Sequence, residues 1–377
     1  MSLSPLTPCA SPPAETFSSL KRRIAMLEEQ NAELSMPAER KSQVPEGRVI
    51  RRLVCLIDSI EDLVAEFDRR VTLDITDDSD AGSFESSAIE NRRYRSYKKL
   101  VIWCPSVQKF MQSSADISEL ASEYSKLNRS ADAARGDDTT SLKFAVASWL
   151  MQASPTPNPV ISHRDKSYRG FYHDVTGKLL CPVDYDWNDT IVREAIRNCH
   201  PDYRVTSYSW PSYLYQGGHY DPNNPTKGLF KGEVLVKAVK HIFTSPSSAD
   251  DPLGFASVQN LSKRQRTTGE RRTRHDVAGL LRMKSVQPRA IAYTAVQLRF
   301  ALSSAGSWRI VDDDFDHEEF YHNVVDYFEL CPSREATKEV ETLLFWWNQK
   351  VFGRRNMSEY RPQNTERLSV AMTSTAR

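Results

Sequence analysis

Hydrophobic positions along the 377-residue chain recur mostly three and four residues apart, the spacing that gathers them on one face of a helix. The first such run is Phe17, Leu20, Ile24, Leu27, Asn31 and Leu34, which alternate between the a and d positions of a heptad and predict a short coiled-coil helix over 17–36. Asn31 takes an a position, where a buried amide lowers stability but fixes the register of a parallel dimer. Pro37 ends the seam after about two and a half heptads. A single amphipathic helix folded back on the body competes with this dimer reading. A leucine-zipper factor is a poor match, because Ser11 to Thr16 contain no basic residue ahead of the seam. Pro5, Pro8, Pro12 and Pro13 make residues 1–16 a flexible arm.

A second run, Ile50, Leu53, Ile57, Ile60, Val64 and Phe67, is widened by Val49, Leu56 and Leu63 and predicts one helix inside a bundle. Asp74 to Ser87 reads as a loop. Asn91 to Trp103 interleaves Arg92, Arg93, Arg95, Lys98 and Lys99 with Tyr94, Tyr97 and Trp103, a mixture suited to phosphate contacts and base stacking. The spacing of Tyr94, Tyr97 and Val101 favours the other outcome, a helix with its rings inward and its cations in water, closed or kinked at Pro105. Leu142 to Met151 predicts a short apolar helix, and the three prolines of 154–159 mark a domain boundary between a helical region over 47–152 and a second helical domain over 160–353. His200 to Lys227 holds five tyrosines, Trp210 and four prolines, so it should be irregular yet packed through its rings.

Beyond it the pattern is helical again. Phe230, Val234, Leu235, Ala238, Val239 and Ile242 make one stripe that should stop before Pro246. Pro288 opens a helix apolar on two faces, with Ile291, Ala295, Leu298 and Leu302 on one and Tyr293, Val296 and Phe300 on the other; such a helix belongs in the middle of a bundle. Asp316 and Glu319 form a capping-box variant ahead of Phe320, Tyr321, Val324, Val325 and Phe328. Ala336, Val340, Leu343, Leu344, Trp347 and Val351 carry a last helix ending at Gly353, followed by a polar, mobile tail over 354–377. Period-two alternation is almost missing, so the fold class is all-α, a multi-helix bundle with irregular Tyr/Pro-rich loops.

Composition adds limits rather than a function. Fifty Lys and Arg face 49 Asp and Glu, so bulk charge proposes no partner. No apolar run reaches the roughly 18 to 20 residues of a membrane span, and a Ser/Pro-rich opening lacks the pattern of a secretory signal. An intracellular protein, in the nucleus or the cytoplasm and without membrane contact, is the expectation. The six cysteines include no Cys-x-x-Cys pair, against a zinc ribbon or a disulfide framework, and Cys104, Cys181 and Cys331 should be structural thiols.

Three segments carry candidate chemistry. His219 and Asp221 with the later His275 supply the two imidazoles and one carboxylate of a non-haem iron, 2-oxo-acid-dependent oxygenase, and Arg282 or Arg289 could neutralise the co-substrate. That site needs a β-barrel to converge its ligands, whereas the residues after Lys227 read as helices. Asp312, Asp313, Asp314 and Asp316 fail as a calcium loop, having no glycine at the sixth place, and suit the positive end of the following helix. Neither a phosphate-binding glycine loop nor a Gly-x-Ser-x-Gly elbow occurs. The sharpest charge feature is Lys263, Arg264, Arg266, Arg271, Arg272 and Arg274, six cations in twelve residues inside an insertion at about 250–280. They resemble a bipartite nuclear-import signal, could contact nucleic-acid phosphates, or form a solvated loop.

Residues of about 170–355 resemble a large domain-of-unknown-function family expanded in mushroom-forming basidiomycete fungi. The resemblance rests on Lys227-Gly-Leu-Phe230, the Phe243 to Ala249 run, Pro288 to Tyr293 continuing to Phe300-Ala-Leu-Ser-Ser304, Trp346-Trp-Asn348 and Val351-Phe-Gly353, in that order. It implies membership and no activity, cofactor or catalytic residue. The expectation is a non-enzymatic interaction or scaffold protein without a cofactor, docking a protein partner or a second copy through its first helix, with nucleic-acid association and the oxygenase as alternatives.

Overall fold

The computed structural model describes residues 46–75, 87–112, 116–249 and 277–353. The predicted coiled-coil helix lies outside the described residues. Contacts divide the chain into two units, one holding Asp58–Lys98 and the other Val44–Ile57 together with the residues from Lys99 onward. Helices dominate the described residues, and the strands among them are the two-residue pieces Val311–Asp312 and Phe315–Asp316, paired antiparallel. The mostly helical architecture agrees with the period-three-and-four pattern.

In the first unit, helix Ile60–Leu73 starts at a reciprocal cap: the Ser59 hydroxyl accepts from the Asp62 amide at 3.1 Å while Asp62 accepts from the Ser59 amide at 3.3 Å. This cap corrects the single helix expected over 50–67. Cys55 is extended at φ −155°, so a short helix, Gly47–Val49, running into a π-helical turn, Ile50–Val54, belongs to the other unit. Helix Ala88–Trp103 stacks Tyr97 on Phe67 with ring centroids 4.3 Å apart, and Arg70 lies 4.1 Å over the Tyr94 ring. Its tyrosines therefore pack, as the helical reading of the basic and aromatic stretch expects. The helix stops at Trp103, and Pro105 begins the next one, Pro105–Gln112.

The second unit is organised around helix Pro288–Leu302, in which every residue from Arg289 to Leu302 is buried. It packs against helices His317–Glu329, Ile117–Met151 and Glu233–Phe243 and against the π turn. Burying Ile291, Leu298, Phe300 and Leu302 stabilises the fold by roughly 1.5–3 kcal/mol each. Helix Ile117–Met151 is far longer than the segment expected over 142–151. Its extra turns bury Tyr124, Ala131, Ala134 and Asp138, a face with little apolar contrast. A Cβ on Gly47 would stand 2.6 Å from the Leu127 carbonyl oxygen, so the absent side chain lets the first helix lie against the long one.

Residues 200–227 hold short 3₁₀ turns in otherwise irregular chain, and the buried Tyr213 donates to the Ala295 carbonyl of the central helix at 2.9 Å. The ring-packed irregular region is thus as expected. Of the last two helices, the first starts at the Asp316 cap and the second ends at the Gly353 cap that the sequence marks. Asp316 accepts from the Glu318 and Glu319 amides, Ser333 caps Arg334–Phe352, and Gly353 closes it at φ +64°.

Candidate functional site

Two groups of buried charges sit at opposite ends of the central helix. At its start, the π turn inserts Arg51 and Arg52 side by side, each 4% exposed. Arg52 grips Asp138 with two hydrogen bonds of 2.8 and 2.7 Å, and the Tyr293 hydroxyl donates to the same carboxylate at 2.8 Å. Arg51 reaches Asp132 at 2.9 Å. Arg289 holds Glu329 through two bonds of 2.8 and 2.9 Å and donates to the Val54 carbonyl at the end of the π turn. Burial alone would pull these guanidinium groups down, but Cys55 and Asp132 beside Arg51, Asp138 beside Arg52, and Glu329 with Tyr321 beside Arg289 more than restore them, and all three end above their ordinary value. This group is electrically closed and ties four segments together.

At the other end the chemistry differs. Lys166, 4% exposed, donates to the Phe300 carbonyl and, at 2.7 Å, to the Ala305 carbonyl, with its ammonium 3.5 Å from the Phe300 ring centre. Arg169 donates to the carbonyls of Ala301, Lys143 and Ser162 at 2.8, 3.1 and 2.6 Å, while its Nε has no acceptor. These two cations cap the carbonyls left open at the helix C-terminus, where the dipole also favours positive charge. Arg299 lies 3.4 Å over the Phe315 ring and makes no hydrogen bond or ion pair among the described residues. His317 is fully buried; its Nδ1 donates to the Ile310 carbonyl at 3.1 Å and its Nε2 has no partner.

Without carboxylates in contact, burial dominates. It pulls Lys166 to about 7, helped by Arg169, and brings Arg169 and Arg299 each to about 10. Burial, then Arg299, depresses His317 to about 3, so its imidazole is neutral at physiological pH. The cysteines behave as packed thiols where buried: burial pushes Cys181 up to about 12 and raises Cys104.

Of the residues singled out from the sequence as site candidates, Arg289 belongs to the first group, where Glu329 rather than a co-substrate holds it, and the others belong to neither. The six seam positions from Phe17 to Leu34, the six cations from Lys263 to Arg274, and His275 lie outside the described residues. His219 is exposed, and Asp221 is committed to its own turn, accepting from the Asn223 amide at 3.1 Å and from Lys227 at 3.3 Å. The acidic run at 312–316 caps the next helix through Asp316 and pairs Asp314 with Arg204 at 2.8 Å. Lys166, Arg169, Arg299 and His317 escape sequence reading because their neighbours are distant in the chain. The one local signal is Arg299 itself, a cation on a helix with no polar face.

Among the described residues no helix is long and apolar enough to cross a membrane. No curated protein and no solved structure matches the chain. A sequence profile does match residues 129–352, from within the long helix to the last turn of the final one. The chain therefore belongs to DUF6698, a family of unknown function.

Proposed function

We infer that this protein is a non-enzymatic helical scaffold that docks protein partners. One observation carries the reading. Between residues 160 and 208 loops, a 3₁₀ turn and the short helix Thr190–Arg197 turn large side chains outward, with Val160 71%, Tyr168 74%, Tyr172 66%, Ile191 72% and Tyr208 69% exposed. Tyrosine and aliphatic surface of this kind supplies contact area at low entropic cost, and Tyr is enriched at protein interfaces. The side chains best able to do chemistry are meanwhile used as ties: His173 accepts from the Val175 amide as a helix cap, and His241 bonds Ser141 across two helices at 2.6 Å.

Changing Tyr168, Tyr172 and Ile191 together to Ser tests this directly. Proximity labelling in cells of the native source should lose a defined set of neighbours while the purified variant melts with the native protein. Unchanged neighbours would remove the reading. The heptad from Phe17 to Leu34 adds a route to self-association, for which Leu27→Pro should lower the mass seen in light scattering.

A second reading is favoured by the cation density of Lys263 to Arg274, namely nuclear import or nucleic-acid contact. Replacing the six cations by Gln should then abolish nuclear accumulation of a fluorescent fusion, or salt-sensitive retention on DNA or RNA. Retention of both would exclude it.

A further inference from the structure

Helix Ala88–Trp103 begins on a serine at the surface. The Ser87 carbonyl accepts the first helical bond, from the Asn91 amide at 3.0 Å. The Ser87 amide donates to Glu90 Oε2 at 2.7 Å, and its hydroxyl oxygen accepts from the Glu90 amide at 3.3 Å. The side chain is exposed, and its hydroxyl hydrogen meets no acceptor among the described residues.

Two other helices start on serine caps, and neither offers the same combination. Ser59 is half-buried, and its hydroxyl donates to Asp62 at 2.7 Å. Ser333 is exposed, but Ala336 rather than an acid stands three residues after it. Ser87 joins exposure to an acid at that place, Glu90, and Asp77, Asp78, Asp80 and Glu85 precede it in the sequence.

The surroundings of Ser87 also suit a negative charge. Arg69, near the end of helix Ile60–Leu73, reaches the same Glu90 Oε2 atom at 3.3 Å. One carboxylate oxygen thus touches both the Ser87 amide and the Arg69 guanidinium, which places that cation within reach of a group carried on the Ser87 hydroxyl. Arg70 follows it and bonds Asn91 Oδ1, beside Glu90, at 2.6 Å. The amides of the first turn add the positive end of the helix dipole.

We propose that Ser87 is a phosphorylation site for an acidophilic serine/threonine kinase, and that its phosphate seats on Arg69 and the start of helix Ala88–Trp103. Such a kinase has a basic cleft that reads a carboxylate three residues after the acceptor. The Ser87 oxygen attacks the γ-phosphorus of ATP; the new O–P bond replaces the bond to ADP, which leaves, and the hydroxyl proton passes to the kinase's base. The phosphate carries a charge of about −1.5 to −2 and three acceptor oxygens, so it takes Arg69 from Glu90, whose carboxylate turns to solvent. The modification fastens the start of the second helix to the end of the first. It goes beyond the scaffold reading and does not depend on it.

The full-length chain treated with Mg-ATP and an acidophilic kinase, with sites assigned by fragmentation mass spectrometry, tests this. Phosphate on Ser87 is expected, and Glu90→Gln should slow its addition about tenfold or more, because the cleft loses its charge partner. No phosphate on Ser87, or an unchanged rate in Glu90→Gln, would overturn the site. The seat is read from the phosphorus NMR resonance that Ser87→Ala removes. A phosphoserine loses its second proton near pH 6. Arg69 and the helix start should hold that midpoint about half a unit lower, and Arg69→Gln, in which Arg70 still holds Glu66, should return it toward about 6. A native midpoint at or above about 6, or one that Arg69→Gln leaves in place, would overturn the seat.

Discussion

The two ends of the central helix are both charged and both buried, yet they are neutralised in different ways. At the start, Arg51, Arg52 and Arg289 meet Asp132, Asp138 and Glu329, carboxylates from other segments. Arg289 sits where the helix dipole is itself positive, so a full counter-charge is needed there. At the end, Lys166, Arg169 and Arg299 meet carbonyl oxygens and aromatic rings. A helix C-terminus stabilises a nearby cation by up to about 2 kcal/mol, and a desolvated ring contact adds about 2 kcal/mol. Removing each ion from water still costs several kcal/mol, so the second end keeps a deficit that the first does not. The contrast teaches that a buried charge marks a candidate site by what it lacks rather than by its burial.

The largest effect that could break this comparison is expected at Asp138. Asp138→Ala strands Arg52 and the Tyr293 hydroxyl together, and urea unfolding should show a loss of about 3–5 kcal/mol. A loss under about 1 kcal/mol would mean that the first end is not closed by its carboxylates.

The next effect is read against pH. The unfolded imidazole of His317 binds a proton near pH 6.5, whereas the folded one resists until about 3. Between these values the unfolded state holds more protons, so stability is complete above about 6.5 and falls as pH drops, by up to about 1.4 kcal/mol per unit. His317→Phe should flatten that slope between pH 6.5 and 5, and an unchanged slope would show that another group carries it. Lys166 acts in a higher window with the same sign. Its folded value of about 7 lies below the unfolded one near 10.5, so stability should rise with pH across that interval in the native chain and less so in Lys166→Met.

The smallest effect is expected for Tyr293→Phe, which removes one hydrogen bond from Asp138 while Arg52 still holds both oxygens. A loss of about 1 kcal/mol is predicted in the same urea assay. A loss as large as that of Asp138→Ala would assign the network to the hydroxyl instead of the guanidinium.

How far the chain could be read before folding follows from the same physics. The central helix was legible because Ile291, Ala295 and Leu298 on one side and Tyr293, Val296 and Phe300 on the other leave no polar face. The final helices were legible from Asp316 and Gly353, whose capping chemistry is local. The long helix was not, since its hidden face uses Ala131, Ala134 and Asp138, and an aspartate becomes a core residue only when Arg52 arrives from far along the chain. The break at 55–59 was hidden because Leu56, Ile57 and Ile60 keep the apolar pattern running through it, although Ser59 and Asp62 spell the cap that starts the next helix. The buried cations at the far end were illegible for a similar reason: Lys166 and Arg169 look like surface cations until the end of a helix more than a hundred residues later folds onto them.

The central claim is that Arg299 is a buried charge held without a counter-charge. The unfolding free energy of Arg299→Met in phosphate-free chloride buffer measures this most directly. Loss of a deficit predicts a variant as stable as the native chain or more so, because a side chain of similar length replaces an uncompensated guanidinium. A destabilisation of about 3 kcal/mol or more, the size expected for opening a paired ion, would contradict it.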